Sequence, residues 1–317
     1  MTICVIHTGG TIGMVSTDTG FAPKSGVVES ELARLRQLGE ISGDYRVIVA
    51  DPLIDSANAS PADWNWIITQ IIEASEDCEG FVLTHGTDTL AFTAAALTFS
   101  LRGLQKPVLL TGAMRPLTEN GSDGSRNLSD AFAAVRTAPP GVWVQFAGKR
   151  LHGARVRKSH SVAFDAFAAS PSDVGPLRKA EHLSGQLYDE NACVLIATVA
   201  PGMKADLVSL AAERADGIVL RCYGSGTVPE RPDLRAALKR ARENEIPVLA
   251  VSQCAEGGIS LGTYSAGALL AEFGVIDGQD MTVEAAYTKL LHTLTVARDL
   301  KEQRRLLEQC LCGEWGT

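Results

Sequence analysis

The sequence contains no apolar run of the roughly 20 residues needed to cross a bilayer, so no membrane role is expected. Its start, Met1-Thr2-Ile3-Cys4-Val5-Ile6-His7, lacks the basic, apolar and small-residue order of a secretory leader, and a cytoplasmic setting is expected. A basic excess is missing too. Lys and Arg number 29 against 37 Asp and Glu, a net charge of -8, which is the wrong sign for a chain built to hold nucleic-acid phosphates. The seven cysteines are odd in number and scattered. Cys310 and Cys312 have no second pair to complete a zinc set, so free thiols and no metal are expected. Neither G-x-G-x-x-G nor G-x-x-x-x-G-K-[ST] occurs, which leaves a nucleotide loop without support. Tandem repeats and low-complexity tracts are also absent.

What is present is an ordinary globular composition, 45% apolar and 21% charged over 317 residues, enough for two cores without staples. Apolar runs at 3–7, 45–51, 80–84, 107–111 and 142–146 read as strands. Between them, Ser60-Pro61-Ala62-Asp63 has a capping serine, a proline suited to the first helical position and an acid three residues after the cap, so a helix should follow. Residues 88–101 and 129–136 also read as helical. This alternation implies a mainly parallel sheet with helices on both faces. The expected organisation is an N-terminal catalytic α/β domain at 1–170 and a linker rich in Pro, Gly, Ser and charge at 171–191. A smaller C-terminal α/β domain at 192–317 follows, with strands at 193–198, 217–220 and 247–252 and helices at 233–243 and 282–298.

Ligands of such sheets sit beyond the carboxyl ends of the strands, and three turns lie there. His7-Thr8-Gly9-Gly10-Thr11-Ile12-Gly13 offers a hydroxyl, Thr11, on a turn whose glycines admit close backbone approach. Thr84-His85-Gly86-Thr87-Asp88-Thr89-Leu90 leads from a strand into a helix, so Thr87 and Asp88 are expected at a helix N-terminus, where N–H donors and partial positive charge favour anions. Asp51-Pro52-Leu53-Ile54-Asp55-Ser56-Ala57-Asn58 adds a carboxylate and a hydroxyl. Each turn alone also reads as an ordinary cap or tight turn. A threonine needs a base before it can attack. Lys158 is a candidate, within the basic stretch Lys149, Arg150, Arg155, Arg157 and Lys158, which otherwise reads as a solvated strand edge.

Together these segments resemble the L-asparaginase family, the bacterial threonine amidohydrolases. Thr8-Gly9-Gly10-Thr11-Ile12 is similar to the family's first signature and His85-Gly86-Thr87-Asp88-Thr89 to its second. Asp55-Ser56 with Pro61 and Trp64, Thr111-Gly112-Ala113-Met114, Lys158, Tyr223-Gly224-Ser225-Gly226 and Met281-Thr282-Val283-Glu284-Ala285 extend the likeness over nearly the whole chain. Gly10-Thr11-Ile12-Gly13-Met14 looks closer to the cytoplasmic type I branch. The resemblance implies hydrolysis of L-asparagine to L-aspartate and ammonia. Thr11 would be the nucleophile that forms an acyl-enzyme. Thr87, Lys158 and Asp88 would form a proton relay. Asp88 would also hold the substrate ammonium, and Ser56 its α-carboxylate, with the backbone of Asp55 and Gly86. Ala113 would meet the leaving amide through its carbonyl. The resemblance further implies no cofactor, and a homodimer or homotetramer with sites near subunit contacts.

The sequence departs from the pattern in the lid after the first turn, where Phe21 stands at a position often occupied by tyrosine. Near Asp55-Ser56 it has Ala57 and Asn58 in place of the Ser and Asp common in type I members. Tyr264, among small residues in Gly262-Thr263-Tyr264-Ser265-Ala266-Gly267, is a possible auxiliary phenol supplied by a neighbouring chain, or else a core or interface tyrosine. Two alternatives stay open. One is an asparaginase and glutaminase of mixed specificity, separated by a side-by-side assay of both amides. The other is a weakly active regulatory binding protein on the same scaffold, favoured by Phe21 and disfavoured by the joint presence of Thr11, Thr87, Asp88 and Lys158.

Overall fold

The computed structural model describes residues 2–261 and 265–316, with the backbone only for residues 265–267. The chain divides into two compact units, Met1–Leu187 and Tyr188–Thr317.

The first unit contains β1 (Thr2–Gly9), a hairpin of β2 (Met14–Thr17) and β3 (Gly20–Pro23), α1 (Val27–Gln37), β4 (Asp44–Ile54), α2 (Pro61–Ala74), β5 (Gly80–Thr84), α3 (Leu90–Ser100) and β6 (Leu101–Arg102). It continues through β7 (Pro107–Thr111), α4 (Gly124–Ala134), β8 (Gly141–Phe146), β9 (Lys149–His152), β10 (Val156–Lys158), β11 (Phe167–Ala169) and β12 (Ser184–Gly185). Its main sheet runs β4-β1-β5-β7-β8-β9, parallel except for the β8–β9 edge pair. β5 and β7 are buried throughout, as near-continuous apolar strands covered on both faces should be. Ile3, Val5, Val82 and Leu109 pack against α1 and α4 through Val28, Leu32, Leu35, Leu128 and Phe132. α2 and α3 contact the sheet at β1 and β8. α3 is apolar all round and buried nearly throughout, the condition under which such a helix is stable.

The strand order locates a site. From β1 the chain crosses one way to β4 and then returns past β1 to β5. Reversal of this kind opens a crevice at the carboxyl ends of β1 and β5. Gly9 ends β1 and Thr84 ends β5, so the first two turns flank that crevice.

Several expected elements have shifted bounds. α2 forms as read: Asp63 Oδ2 accepts from the Ser60 N–H at 2.7 Å and from its hydroxyl at 2.9 Å, and Pro61 opens the helix. The helix expected over 88–101 begins only at Leu90, with Thr89 as its cap, because the Thr89 hydroxyl is drawn to the Ser56 carbonyl at 2.8 Å. Thr87 and Asp88 therefore lie in the approach to the helix, outside its first turn. α4 starts at Gly124, ahead of the expected 129. The segment 171–187, read as the larger part of a linker, belongs to the first unit. β12 pairs with β6, the Gly103 N–H donates to the Arg178 carbonyl at 2.8 Å, and Arg178 Nη1 donates to the Phe99 carbonyl at 3.0 Å.

The second unit carries a parallel sheet in the order β13 (Val194–Thr198), β14 (Gly217–Cys222), β15 (Val248–Ser252) and β16 (Ile276–Asp277). Its helices are α5 (Asp206–Arg214), α6 (Pro232–Glu243), α7 (Ser265–Glu272), α8 (Val283–Val296) and α9 (Leu300–Glu308). Residues from α5, α6 and the sheet share one core around Val208, Ile218, Leu220, Leu234, Leu238 and Ala250. Lys289 of α8 is fully buried, with its ammonium 2.7 Å from Glu314 Oε1, also fully buried. The same ammonium donates to the carbonyls of Leu307 at 3.1 Å and Gln309 at 2.7 Å and lies 3.8 Å from the Trp315 ring centroid.

Candidate active site

Four turns at the carboxyl edge of the main sheet approach one another closely at their glycines. Gly10 has φ +85, and a methyl there would overlap the Gly86 backbone. A methyl on Gly86 would in turn overlap the Ser56 side chain, and one on Gly112 would overlap the His85 carbonyl. The turns bearing Thr11, Ser56, Thr87 and Ala113 thus approach as closely as they do because glycine stands at their contacts.

Hydrogen bonds fix this arrangement. The Thr8 hydroxyl donates to the Thr84 carbonyl at 2.8 Å, and His7 Nδ1 lies 2.7 Å from Thr84 Oγ1, joining the ends of β1 and β5. The His85 N–H donates to the Thr111 carbonyl at 2.9 Å, joining β5 to β7. His85 Nε2 is 3.0 Å from Thr93 Oγ1, which accepts from Trp64 Nε1 at 3.1 Å, and His85 Nδ1 is 2.8 Å from the Gly86 carbonyl. If the Thr93 hydroxyl takes the indole proton and gives its own to Nε2, Nδ1 is left as a donor, consistent with its contact to the Gly86 oxygen. Burial pushes the His85 imidazole below its ordinary range, and it does the same to His7.

Thr11 opens a short 3-10 turn, Thr11–Gly13, and is half-buried. Thr87 and Ser56 are buried. Lys158 ends β10, which is held by antiparallel pairing with β11. Its ammonium lies 2.9 Å from Thr87 Oγ1 and 2.8 Å from Asp88 Oδ1. The Lys158 side chain is 21% exposed and that of Asp88 is 65% exposed, so the trio has one covered end and one open to solvent. The basic stretch divides accordingly: Lys149 and Arg150 are exposed on the edge strand β9, Arg155 is buried and donates to the Ser170 carbonyl at 2.9 Å, and Lys158 meets the second turn.

The third turn is self-contained at Asp55. Its carboxylate accepts from the Ala57 N–H at 3.2 Å and from Asn58 Nδ2 at 3.1 Å, so Asn58 secures the turn. Ala113 is fully buried. Phe21 lies on the hairpin strand β3 and is 52% exposed. Tyr264 lies outside the described residues.

The arrangement brings Thr87, Asp88 and Lys158 into direct contact and stacks Ser56, Gly86 and Gly10 beside them. Sequence reasoning gave no role to His7 and Thr89 within the turns it singled out and missed Asp123 and Asn127 altogether, and all four tie the turns together. Asp123 accepts from the N–H groups of Met114 at 3.0 Å and Arg115 at 3.1 Å. Asn127 Nδ2 donates to the Gly112 carbonyl at 2.9 Å. The spacing of Asp123 and Asn127, one helical turn apart just after the Ala113 turn that follows β7, was the available signal. No group of three or more His, Cys, Asp or Glu among the described residues has the arrangement of a metal site.

The chain's likeness to known proteins spans both units. A family model described as "Asparaginase, N-terminal" matches residues 2–191, and one described as "Glutaminase/Asparaginase C-terminal domain" matches residues 193–307. L-asparaginase 1 of Escherichia coli strain K12 is 37% identical over 330 residues, covering 98% of this chain and 97% of that one. The solved structure of the thermostable L-asparaginase from Thermococcus kodakarensis is 35% identical with a TM-score of 0.85, covering 99% of each chain. L-asparaginase I from Vibrio cholerae is 31% identical with a TM-score of 0.87, covering 99% of this chain and 98% of that one.

Proposed function

Because the chain belongs to the asparaginase family, we propose that it hydrolyses the side-chain amide of L-asparagine to L-aspartate and ammonia, with Thr11 as nucleophile. The carrying observation is the contact of Lys158 with both Thr87 and Asp88, beside the turn that bears Thr11. In this reading the Thr11 hydroxyl gives up its proton and attacks the amide carbon, and the tetrahedral intermediate breaks its C–N bond, expelling the protonated nitrogen as ammonia and leaving the acyl-enzyme. Water, activated through Thr87 and Lys158, then releases aspartate. Asp88 keeps Lys158 in place and accepts the substrate ammonium. Ser56 holds the α-carboxylate with backbone from Asp55 and Gly86. Backbone N–H groups of the Thr11 and Thr87 turns stabilise the oxyanion, and the Ala113 carbonyl accepts from the departing amide nitrogen. A cytoplasmic assembly of two or four copies accompanies this reading.

Ammonia release from L-asparagine, L-glutamine and D-asparagine tests it. L-asparagine is expected to be the preferred substrate. Thr11→Ala should fold normally and lose roughly a thousandfold or more in turnover, the scale for deleting an essential catalytic group. Near-normal turnover in that variant would remove Thr11 from the role. Phe21, which has no proton to relay, supports a second reading in which turnover is weak and the protein chiefly binds its amide. In that case Phe21→Tyr should raise the rate.

A further inference from the structure

Asp123 stands at the N-cap of α4, where an aspartate ordinarily accepts from an N–H two or three residues ahead. Its side chain makes no such bond. Both oxygens lie 3.0 Å from the Met114 N–H, and one also takes the Arg115 N–H at 3.1 Å. One turn further on, buried Asn127 donates from Nδ2 to the Gly112 carbonyl at 2.9 Å and to Asp123 Oδ2 at 3.1 Å, while its own Oδ1 accepts from the Ala147 N–H at 3.1 Å. Asp123 and Asn127 therefore hold the peptides on both sides of Ala113.

In a trans peptide the C=O and the following N–H point in opposite directions. Holding the Met114 N–H against Asp123 turns the Ala113 carbonyl away from α4. Holding the Gly112 carbonyl against Asn127 turns the Ala113 N–H away as well. Gly112 itself abuts the His85 carbonyl and lies near the Thr87 methyl, so the presented carbonyl belongs to a turn that borders the second hydroxyl.

We propose that Asp123, steadied by Asn127, is a positioning residue that aims the Ala113 carbonyl at the carboxamide nitrogen and so sets the preference for amides. This rests on the reading of Ala113 given above. A primary amide nitrogen carries hydrogens to donate to that carbonyl. The leaving oxygen of an ester carries none.

The experiment compares L-asparagine with L-aspartate β-methyl ester, which share one acyl group, in Asp123→Ala and Asp123→Asn. Asp123→Ala should lower kcat/KM for the amide by about tenfold to a hundredfold, the scale of one lost hydrogen bond to a well-placed group, and lower it for the ester by less than about threefold. Asp123→Asn, which keeps one acceptor for the Met114 N–H, should fall between. Equal losses on both substrates, or an unchanged amide rate, would overturn the proposal. If Asp123→Ala does not fold, the amide-to-ester ratio of Asp123→Asn decides. Thr11→Ala, run beside them, should abolish both activities. Should it spare both, the nucleophile assignment fails independently of the ratio seen in the Asp123 variants.

Discussion

A threonine hydroxyl does little chemistry until a neighbour takes its proton, so the contact between Thr87 and Lys158 is testable apart from Thr11. Thr87→Val keeps shape without the hydroxyl, and Lys158→Met keeps length without the amine. If the two residues serve one relay, the double variant should lose little more than the worse single variant. Additive losses would mean independent roles. Asp88→Asn should damage turnover of asparagine much more than that of a simple amide lacking the ammonium, and steady-state rates on both decide it. The buried imidazoles of His7 and His85 carry a pH consequence. Their folded values lie below the ordinary 6.5 because burial disfavours the charged ring. Above 6.5 both folded and unfolded chains hold them neutral. Below it the unfolded chain takes up protons first, so stability should fall with pH until the folded rings titrate. Denaturant unfolding on either side of that value checks this, and His7→Asn should flatten part of the slope.

At the scale of elements, the five parallel strands of the first sheet and the helix after Ser60 were legible because apolar runs and a capping pair act locally. The three turns were legible because glycine, threonine and aspartate cluster at strand ends. What was not legible depends on contacts far apart in the chain. The start of α3 is set by a bond from Thr89 to Ser56, and no local preference encodes it. The segment 171–187 reads as loose because its partners, Leu101–Arg102 and Phe99, are distant in sequence. The hairpin β2–β3 is too short to show a period, whereas α1 had an apolar stripe, Val28, Leu32 and Leu35, that went unread. Lys158 was ambiguous for the same reason as α3: only the fold separates it from Lys149 and Arg150. Two element-level outcomes follow. Ser60→Ala should cost about 1 kcal/mol in unfolding free energy, the usual worth of a helix cap. Gly10→Ala, where φ is +85 and the Gly86 backbone blocks the methyl, should drive the first two turns apart. Its kcat should collapse well before its folded fraction does, as circular dichroism and ammonia release would register together.

At the scale of the whole chain, the acidic balance and the two separate cores set the frame, and the second unit holds an expensive feature. The carboxyl of Glu314 is pushed up by burial, but the Lys289 ammonium and the N–H groups of Leu311 and Cys312 more than offset this and hold it below its ordinary range. Removing one partner of such a buried pair should cost about 3–5 kcal/mol. Glu314→Gln therefore tests the C-terminal stretch as an anchor, and equilibrium unfolding of the second unit's tryptophan, Trp315, reports it.

Thr11, Ser56, Thr87 and Ala113 follow four strands that the parallel order β4-β1-β5-β7 joins only through crossovers, and Lys158 comes from a fifth stretch, at the end of β10. Contact order is therefore high for the site even though each helix is local, and high contact order slows assembly. In a refolding experiment the far-ultraviolet helical signal should return first and ammonia release last, with a lag between them. The enzyme's own activity would then serve as a clock for closure of the central sheet.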